Sequence, residues 1–257
     1  MRFAQVMGLF LLVAGLAGQT AAEDKILKAD YRPRPPEMVV AEGETISGPL
    51  KDILEEAAGK HGYRVQWRVA PFPQSLHDLE TGHVDVVPRV VHTKEREAFV
   101  QFLGPIGFQD KDIVFLVRKG QEGRIRTYED LRSLTVGVKL KTAYFDPFDS
   151  DATIRKETAA DDFNLARMFI GGRFDTVALL DHQAMEGVLA GLGFKDHALA
   201  EYRFKQRIGN FYGLSKHSPH AALFPALNAT LLEMSKSGRV AALYGLHGTE
   251  PPQKIGQ

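Results

Sequence analysis

The chain of 257 residues contains no cysteine. That removes disulfides, thiol nucleophiles and the thiolate ligands of the usual structural zinc sites. The fold must therefore be held by its core, for which 44% hydrophobic residues are ample. Net charge is also lacking, because 32 basic residues face 32 acidic ones. With that balance, and with no basic block interleaved with aromatics, nucleic acid is not an expected partner. No internal repeat and no low-complexity tract is present. Glycine patterns of P-loops and dinucleotide folds are missing, as is a Gly-x-Ser-x-Gly elbow. His77, His83 and His92 lie near one another, but their spacing fits neither a helical ligand pair nor an H-E-x-x-H motif. No metal or cofactor is therefore expected.

Long apolar runs are scarce as well. The longest, Val6 to Ala17, is too short to span a membrane, which takes about 20 residues. It follows the positive Arg2 and precedes the small-residue stretch Ala17-Gly18-Gln19-Thr20-Ala21-Ala22. This is the order of a secretory signal peptide over residues 1–22, cut after Ala22. No cysteine follows for lipid attachment, so a soluble mature protein outside the cytoplasm is expected. Roughly 235 residues then remain, enough for one large domain or two lobes of about 100 each.

What is present alternates strands with helices. Ile26–Ala29, Tyr63–Val69, Val84–Val87, Asp112–Val117, Leu134–Val138 and Thr176–Leu180 read as strands. Leu50–Ala58, Ser75–Glu80, Tyr128–Leu131, Asp162–Ile170, His220–Lys236 and Val240–Leu246 read as helices. Tyr31–Pro36 is proline-rich and reads as a loop. Alternation of this kind predicts an α/β fold with largely parallel sheets, and the pattern restarts after Val117.

Six segments, in order, follow the signature of one known family. Gly48-Pro49-Leu50-Lys51-Asp52-Ile53-Leu54 is similar to its Gly-x-x-x-Asp helix start. Leu79-Glu80-Thr81-Gly82-His83-Val84-Asp85 looks like its Leu-x-x-Gly-x-x-Asp segment. Thr93-Lys94-Glu95-Arg96 with Phe102 and Pro105 looks like its Thr-x-Glu-Arg…Phe-x-x-Pro signature. Val136–Thr142, Gly172–Asp181 and Tyr212–Ser215 with Asn228 and Gly238 supply the rest. Their order makes the set specific: the chain resembles the bacterial extracellular solute-binding proteins of family 3.

The resemblance implies a two-lobed periplasmic-binding-protein fold of type II, with two crossing hinge strands near Val114–Val117 and Phe211–Ser215. Lobe 1 would comprise residues 26–116 plus 212–248 and lobe 2 residues 117–211, with 249–257 a loose tail. It implies a monomeric periplasmic protein that captures a small polar solute, an amino acid or related carboxylate, for the permease of an ABC transporter or a signalling receptor. Arg96, whose planar fork of donors fits a carboxylate, matches the residue that holds the ligand carboxylate. Asp181 matches the acceptor of the ligand amine, and it also stands where it can cap a helix. Thr142 either supports a carboxylate at a helix N-terminus or simply caps that helix. Phe72 matches the aromatic on which ligands pack, and Tyr31 belongs to the first pocket loop.

Three departures from the family pattern bear on the ligand. Glu37 stands where an aromatic is usual, Arg89 where a small apolar residue is usual, and Lys141 where glycine precedes Thr142. Glu37 and Arg89 are expected either to pair or to read a polar ligand. Two other roles remain open: an accessory or sensor protein with a reshaped cleft, and a dehydratase-like enzyme using Glu37 as general acid with Glu157, Asp161 or Asp162 in reach.

Overall fold

The protein is described from a computed structural model over residues 25–254. The expected signal peptide lies outside the described residues. In chain order the strands and α-helices begin with β1 (Ile26–Tyr31), β2 (Val39–Val40), β3 (Ile46–Ser47), α1 (Pro49–Gly59), β4 (Arg64–Val69), α2 (Phe72–Thr81), β5 (Val86–Pro88) and β6 (Val100–Leu103). There follow β7 (Phe108–Asp110), β8 (Ile113–Val117), β9 (Thr135–Lys139), β10 (Arg155–Ala159), α3 (Asp162–Ile170), β11 (Thr176–Leu179) and α4 (His182–Gly191). The last elements are β12 (Ala198–Phe204), β13 (Arg207–Gly209), β14 (Tyr212–Ser215), α5 (Phe224–Lys236) and α6 (Arg239–Leu246).

Two five-stranded sheets carry the two lobes. The first runs in the order β4-β1-β5-β14-β6, and the second in the order β10-β9-β11-β8-β12. In each, the first three strands and the last run the same way, and the fourth, β14 or β8, runs against them. The first core packs Leu27, Leu54 and Val86 against Leu231 and Tyr244 from α5 and α6. The second is aromatic on one face, with Phe115, Phe145, Phe148 and Tyr144 buried together. Its other face packs Leu116 and Val177 against Leu165, Phe169 and Leu189 of α3 and α4.

Local chemistry explains the helices. Pro49 opens α1, where its missing N–H costs nothing, and Leu50, Ile53, Leu54 and Ala57 form one buried stripe. Gly82, at φ 79°, ends α2 in the left-handed conformation that glycine adopts freely. The helix expected from His220 begins only at Phe224, after a 3₁₀ turn. Pro225 is the reason: proline is tolerated in a first helical turn and breaks a helix interior.

Two strands carry the chain between the sheets as expected, but they lie a few residues before the expected positions. Val114–Val117 lies wholly inside the second sheet and Tyr212–Ser215 inside the first. The connecting segments pair instead as the antiparallel ribbon β7–β13, with Ile208 opposite Gln109. The C-terminal segment, expected to be loose, is pinned to this ribbon at Gln253. Its N–H donates to the Phe108 carbonyl at 2.8 Å, and the Phe108 N–H donates back at 2.9 Å. Gly107 makes room for it, since a Cβ there would lie 2.8 Å from Gln253 O and from Pro252.

Candidate functional site

The C-terminal ends of parallel strands are where an α/β sheet presents its loops to a ligand. Here both sheets aim those ends at one cavity of about 280 Å³. Arg32 and Arg34 follow β1, Phe72 follows β4 and Arg89 follows β5. From the other lobe, Lys139 and Thr142 come from the end of β9, Asp161 and Asp162 follow β10, and Asp181 follows β11. All of these line the cavity, together with Arg96 and Tyr144.

Of the expected site residues, Arg96, Asp181, Thr142, Phe72 and Arg89 are brought together there. Tyr31 and Glu37 are not among the lining residues. Tyr31 is buried at the end of β1, and its hydroxyl donates to the Ser47 carbonyl at 2.6 Å. Gly48 permits that approach, because a Cβ at its φ of 135° would overlap the Glu37 carbonyl and come within 3.0 Å of the Tyr31 hydroxyl. Glu37 lies beneath the cavity. It accepts from Gln109 Nε2 at 2.9 Å and from the Tyr244 hydroxyl at 3.2 Å, and its carboxylate stands 3.4 Å from Arg89 Nε. The acid and base that replace the usual residues thus pair with each other. Glu37 is not positioned to give a proton into the cavity, and Glu157 does not line it, whereas Asp161 and Asp162 do.

Each guanidinium is oriented by its neighbours. Arg32 donates to the Pro88 and Arg89 carbonyls, both at 3.1 Å, and lies 4.3 Å from the centre of the Phe72 ring. Arg96 stands 5.6 Å from the same ring. It donates to the Val91 carbonyl at 2.8 Å and, across the cleft, to the Lys141 carbonyl at 2.7 Å. Lys141 keeps a left-handed backbone, φ 59°, where the family pattern has glycine, and this conformation turns its carbonyl toward Arg96. Arg89 shares that φ and donates to Asn210 Oδ1. Arg34 reaches across the cleft to Asp181 at 3.3 Å.

The carboxylates come from helix starts. Asp161 caps α3 by accepting from the Asn164 N–H at 2.7 Å, and Asp181 caps α4 through the Ala184 N–H at 3.4 Å. Asp162 pairs with Lys139 at 2.8 Å. Thr142 is different: no helix follows it, and the chain runs into an irregular turn instead. Neither of its expected helix-terminal roles is therefore formed. Burial alone would raise the Asp181 carboxyl, but Arg34 and Lys111 outweigh it and hold the group below the ordinary carboxylate range. Burial lowers the proton affinity of Arg32, Arg34 and Arg96, and neighbouring guanidinium groups add to the effect for Arg32 and Arg34.

Arg32, Arg34 and Lys139 were not singled out in the sequence. The signal available was the repeat of Arg and Pro in Arg32-Pro33-Arg34-Pro35, a rigid loop that offers two cations on one side. No helix of the described residues is long and apolar enough to cross a membrane, and none of their His, Cys, Asp and Glu side chains cluster to hold a metal.

Comparison with known proteins gives one consistent picture. The family model of bacterial extracellular solute-binding proteins, family 3, matches residues 27–249. The L-cystine-binding protein TcyJ of Escherichia coli strain K12 is 25% identical over 244 residues, covering 90% of this chain and 89% of that protein. Among solved structures, a mutant of ArgBP from T. maritima superposes with a TM-score of 0.67 at 24% identity, covering 87% of this chain and 95% of its own. An ancestral amino acid-binding protein, AncCDT-1, a precursor of cyclohexadienyl dehydratase, superposes with a TM-score of 0.63 at 20% identity, covering 86% and 94%. These structural likenesses establish the type II periplasmic-binding-protein fold.

Proposed function

The chain belongs to the bacterial extracellular solute-binding proteins of family 3, and from that premise we propose that it captures a small carboxylate-bearing solute between its lobes, in the periplasm, and delivers it to the permease of an ABC transporter. The observation that carries this reading is the convergence of parallel-strand ends from both sheets on one cavity. A cleft between lobes, apolar in its walls with a few charged groups, is the usual place for a small ligand. In this reading Arg96 keeps its bond to Val91, which fixes its orientation, and exchanges the Lys141 carbonyl for a ligand carboxylate. Phe72 forms an apolar wall beside it, and Thr142 contributes from the opposite lobe. Arg89 is held in place by Glu37, so that pair shapes the floor.

The test is a thermal-shift and calorimetric screen of the mature protein against amino acids and related acids. A ligand present at 100 times its dissociation constant adds about 2.7 kcal/mol to stability, which is a shift of several degrees. The expected result is a hit that Arg96→Ala abolishes. A folded sample with no hit among amino acids or acids would overturn the reading.

A further inference from the structure

We propose that the ligand is a small dicarboxylate without an ammonium group, a refinement that rests on the solute-binding reading above. The first ground is the charge of the cavity wall. Five cationic side chains line it, Arg32, Arg34, Arg89, Arg96 and Lys139, against three carboxylates, Asp161, Asp162 and Asp181. Glu37 beside Arg89 and Lys111 beside Asp181 add one charge of each sign, so the excess stays at two; a zwitterion brings no net charge to such a wall, whereas a dianion balances it.

The second ground is that the carboxylates are spoken for. Asp181 faces Arg34 at 3.3 Å and Lys111 at 3.8 Å. Asp162 pairs with Lys139 at 2.8 Å. Asp161 accepts from both the N–H and the side chain of Asn164 while capping α3. Among the described residues lining the cavity, only Asp161 has no cation beside it, and contacts from Asn164 already engage both of its oxygens, while an unpaired buried ammonium is costly. For a ligand amine to use Asp181, it would have to displace a guanidinium that crosses the cleft.

The third ground is the state of the arginines. Arg89 is balanced by Glu37 and Arg34 by Asp181. Arg32 and Arg96 have backbone carbonyls as their bonded partners instead of carboxylates. Both approach the ring of Phe72, so two guanidinium groups with no carboxylate in contact flank one apolar wall. Guanidinium groups keep their protons at neutral pH, so their burial and mutual repulsion persist until an anion relieves them. The Nε of Arg34 is buried without a hydrogen-bond partner, 3.7 Å from Glu37, which marks the same shortage of acceptors. The start of α2 adds to this side of the cavity, since Pro71 gives its free N–H groups no side-chain cap.

Calorimetric titration of the mature protein tests this with matched pairs: succinate against aspartate, glutarate against glutamate, and glutamine and arginine as zwitterionic and cationic amino acids. The expected order is dicarboxylate over its amino counterpart by about tenfold or more, about 1.4 kcal/mol. Arg32→Gln is expected to weaken dicarboxylate binding by about 100-fold, and Asp181→Asn, which frees Arg34 from its ion pair, is expected to tighten it, with folding checked by near-ultraviolet dichroism. The ligand series on the unaltered protein keeps the test valid if a variant does not fold. Amino acids binding more tightly than dicarboxylates, with about 100-fold loss in Asp181→Asn, would overturn this inference and leave the solute-binding reading standing. No binding by either series to folded protein would overturn both.

Discussion

The two lobes meet at one cavity with the same topology and different charge. Each sheet offers three adjacent parallel strand ends, with one strand, β8 or β14, running against the rest. From the first lobe come Arg32, Arg34, Arg89 and Arg96, with the carboxylate of Glu37 held below the surface. From the second come Asp161, Asp162, Asp181 and a single lysine, Lys139. Arg32 and Arg96 are held by backbone carbonyls and an aromatic face, Arg34 and Arg89 by side chains. The aspartates are held mainly as helix caps. The fold thus determines where the loops meet, and the side chains on the loops determine what they hold. Because the charges are complementary, the lobes bind each other through Arg34 and Asp181, and through Arg96 and the Lys141 carbonyl. A ligand must exceed these contacts to take their place.

The cores differ too, and the largest expected effect comes from there. Phe148 is fully buried in the second lobe, 5.3 Å from Phe145 and 6.1 Å from Phe115 by ring centres. Phe148→Ala is expected to cost about 3–5 kcal/mol, read by urea unfolding. A loss below about 1 kcal/mol would mean that the aromatic cluster does not hold the second lobe. The same measurement on Leu54→Ala, in the aliphatic first core, should give about 2–5 kcal/mol. Separate transitions for the two variants would show that the lobes unfold independently.

Cutting the contact between lobes is the next test. Arg34→Ala leaves Asp181 with Lys111 as its remaining cation and should cost about 1–3 kcal/mol. It should also shift the lobes toward an open arrangement, seen as a larger radius of gyration in small-angle scattering. An unchanged radius would mean that other contacts hold the cleft closed.

Acid should act on both lobes in the same direction. Burial would raise Asp78, but hydrogen bonds from Arg68 and Gln74 bring it below the usual carboxylate range. Asp181 is lowered as well. A carboxyl whose folded pKa is depressed stabilises the protein fully above its unfolded pKa near 3.8. That contribution is lost as pH falls from there through the folded pKa. Stability from these two groups should therefore be flat above about pH 5 and decline below about pH 4. Asp78→Asn should remove the first lobe's share of the decline in an acid titration followed by dichroism, and an unchanged acid midpoint would contradict the assignment.

The smallest effect concerns the backbone beside the cleft. Lys141 holds a left-handed conformation at φ 59°, which costs a residue with a side chain about 1–2 kcal/mol. Lys141→Gly should raise stability by about 1 kcal/mol or less, once the added freedom of the unfolded chain is counted. A loss of stability on thermal unfolding would mean that the lysine side chain itself is needed.

Much of the fold was legible because periodicity reports burial. Asp162–Ile170 was read to the residue, and Leu50–Ala58 within one residue at each end. β10 was missed because Arg155-Lys156-Glu157-Thr158-Ala159 is polar, and its place at the sheet edge lets it remain so. The start of α4 was legible only through Asp181 as its cap, β12 was not identified, and β7 and β13 are only three residues each, too short to carry a pattern. Within the site, Arg96 and Asp181 were visible through ordered motifs, and the pairing of Glu37 with Arg89 was one of two alternatives left open. Arg32 and Arg34 were hidden in a proline-rich loop whose direction depends on strands far away in sequence.

By itself the sequence determined the elements, the α/β class and the residues competent to hold a carboxylate, because these depend on spacing and side-chain chemistry within short segments. Only the tertiary structure decided which charges face one another. Arg34 and Asp181 are far apart in the chain and meet because two separate sheets present their strand ends to the same space. The balance of charge in that space, and with it the kind of ligand it can hold, is a property of the meeting and of neither segment alone.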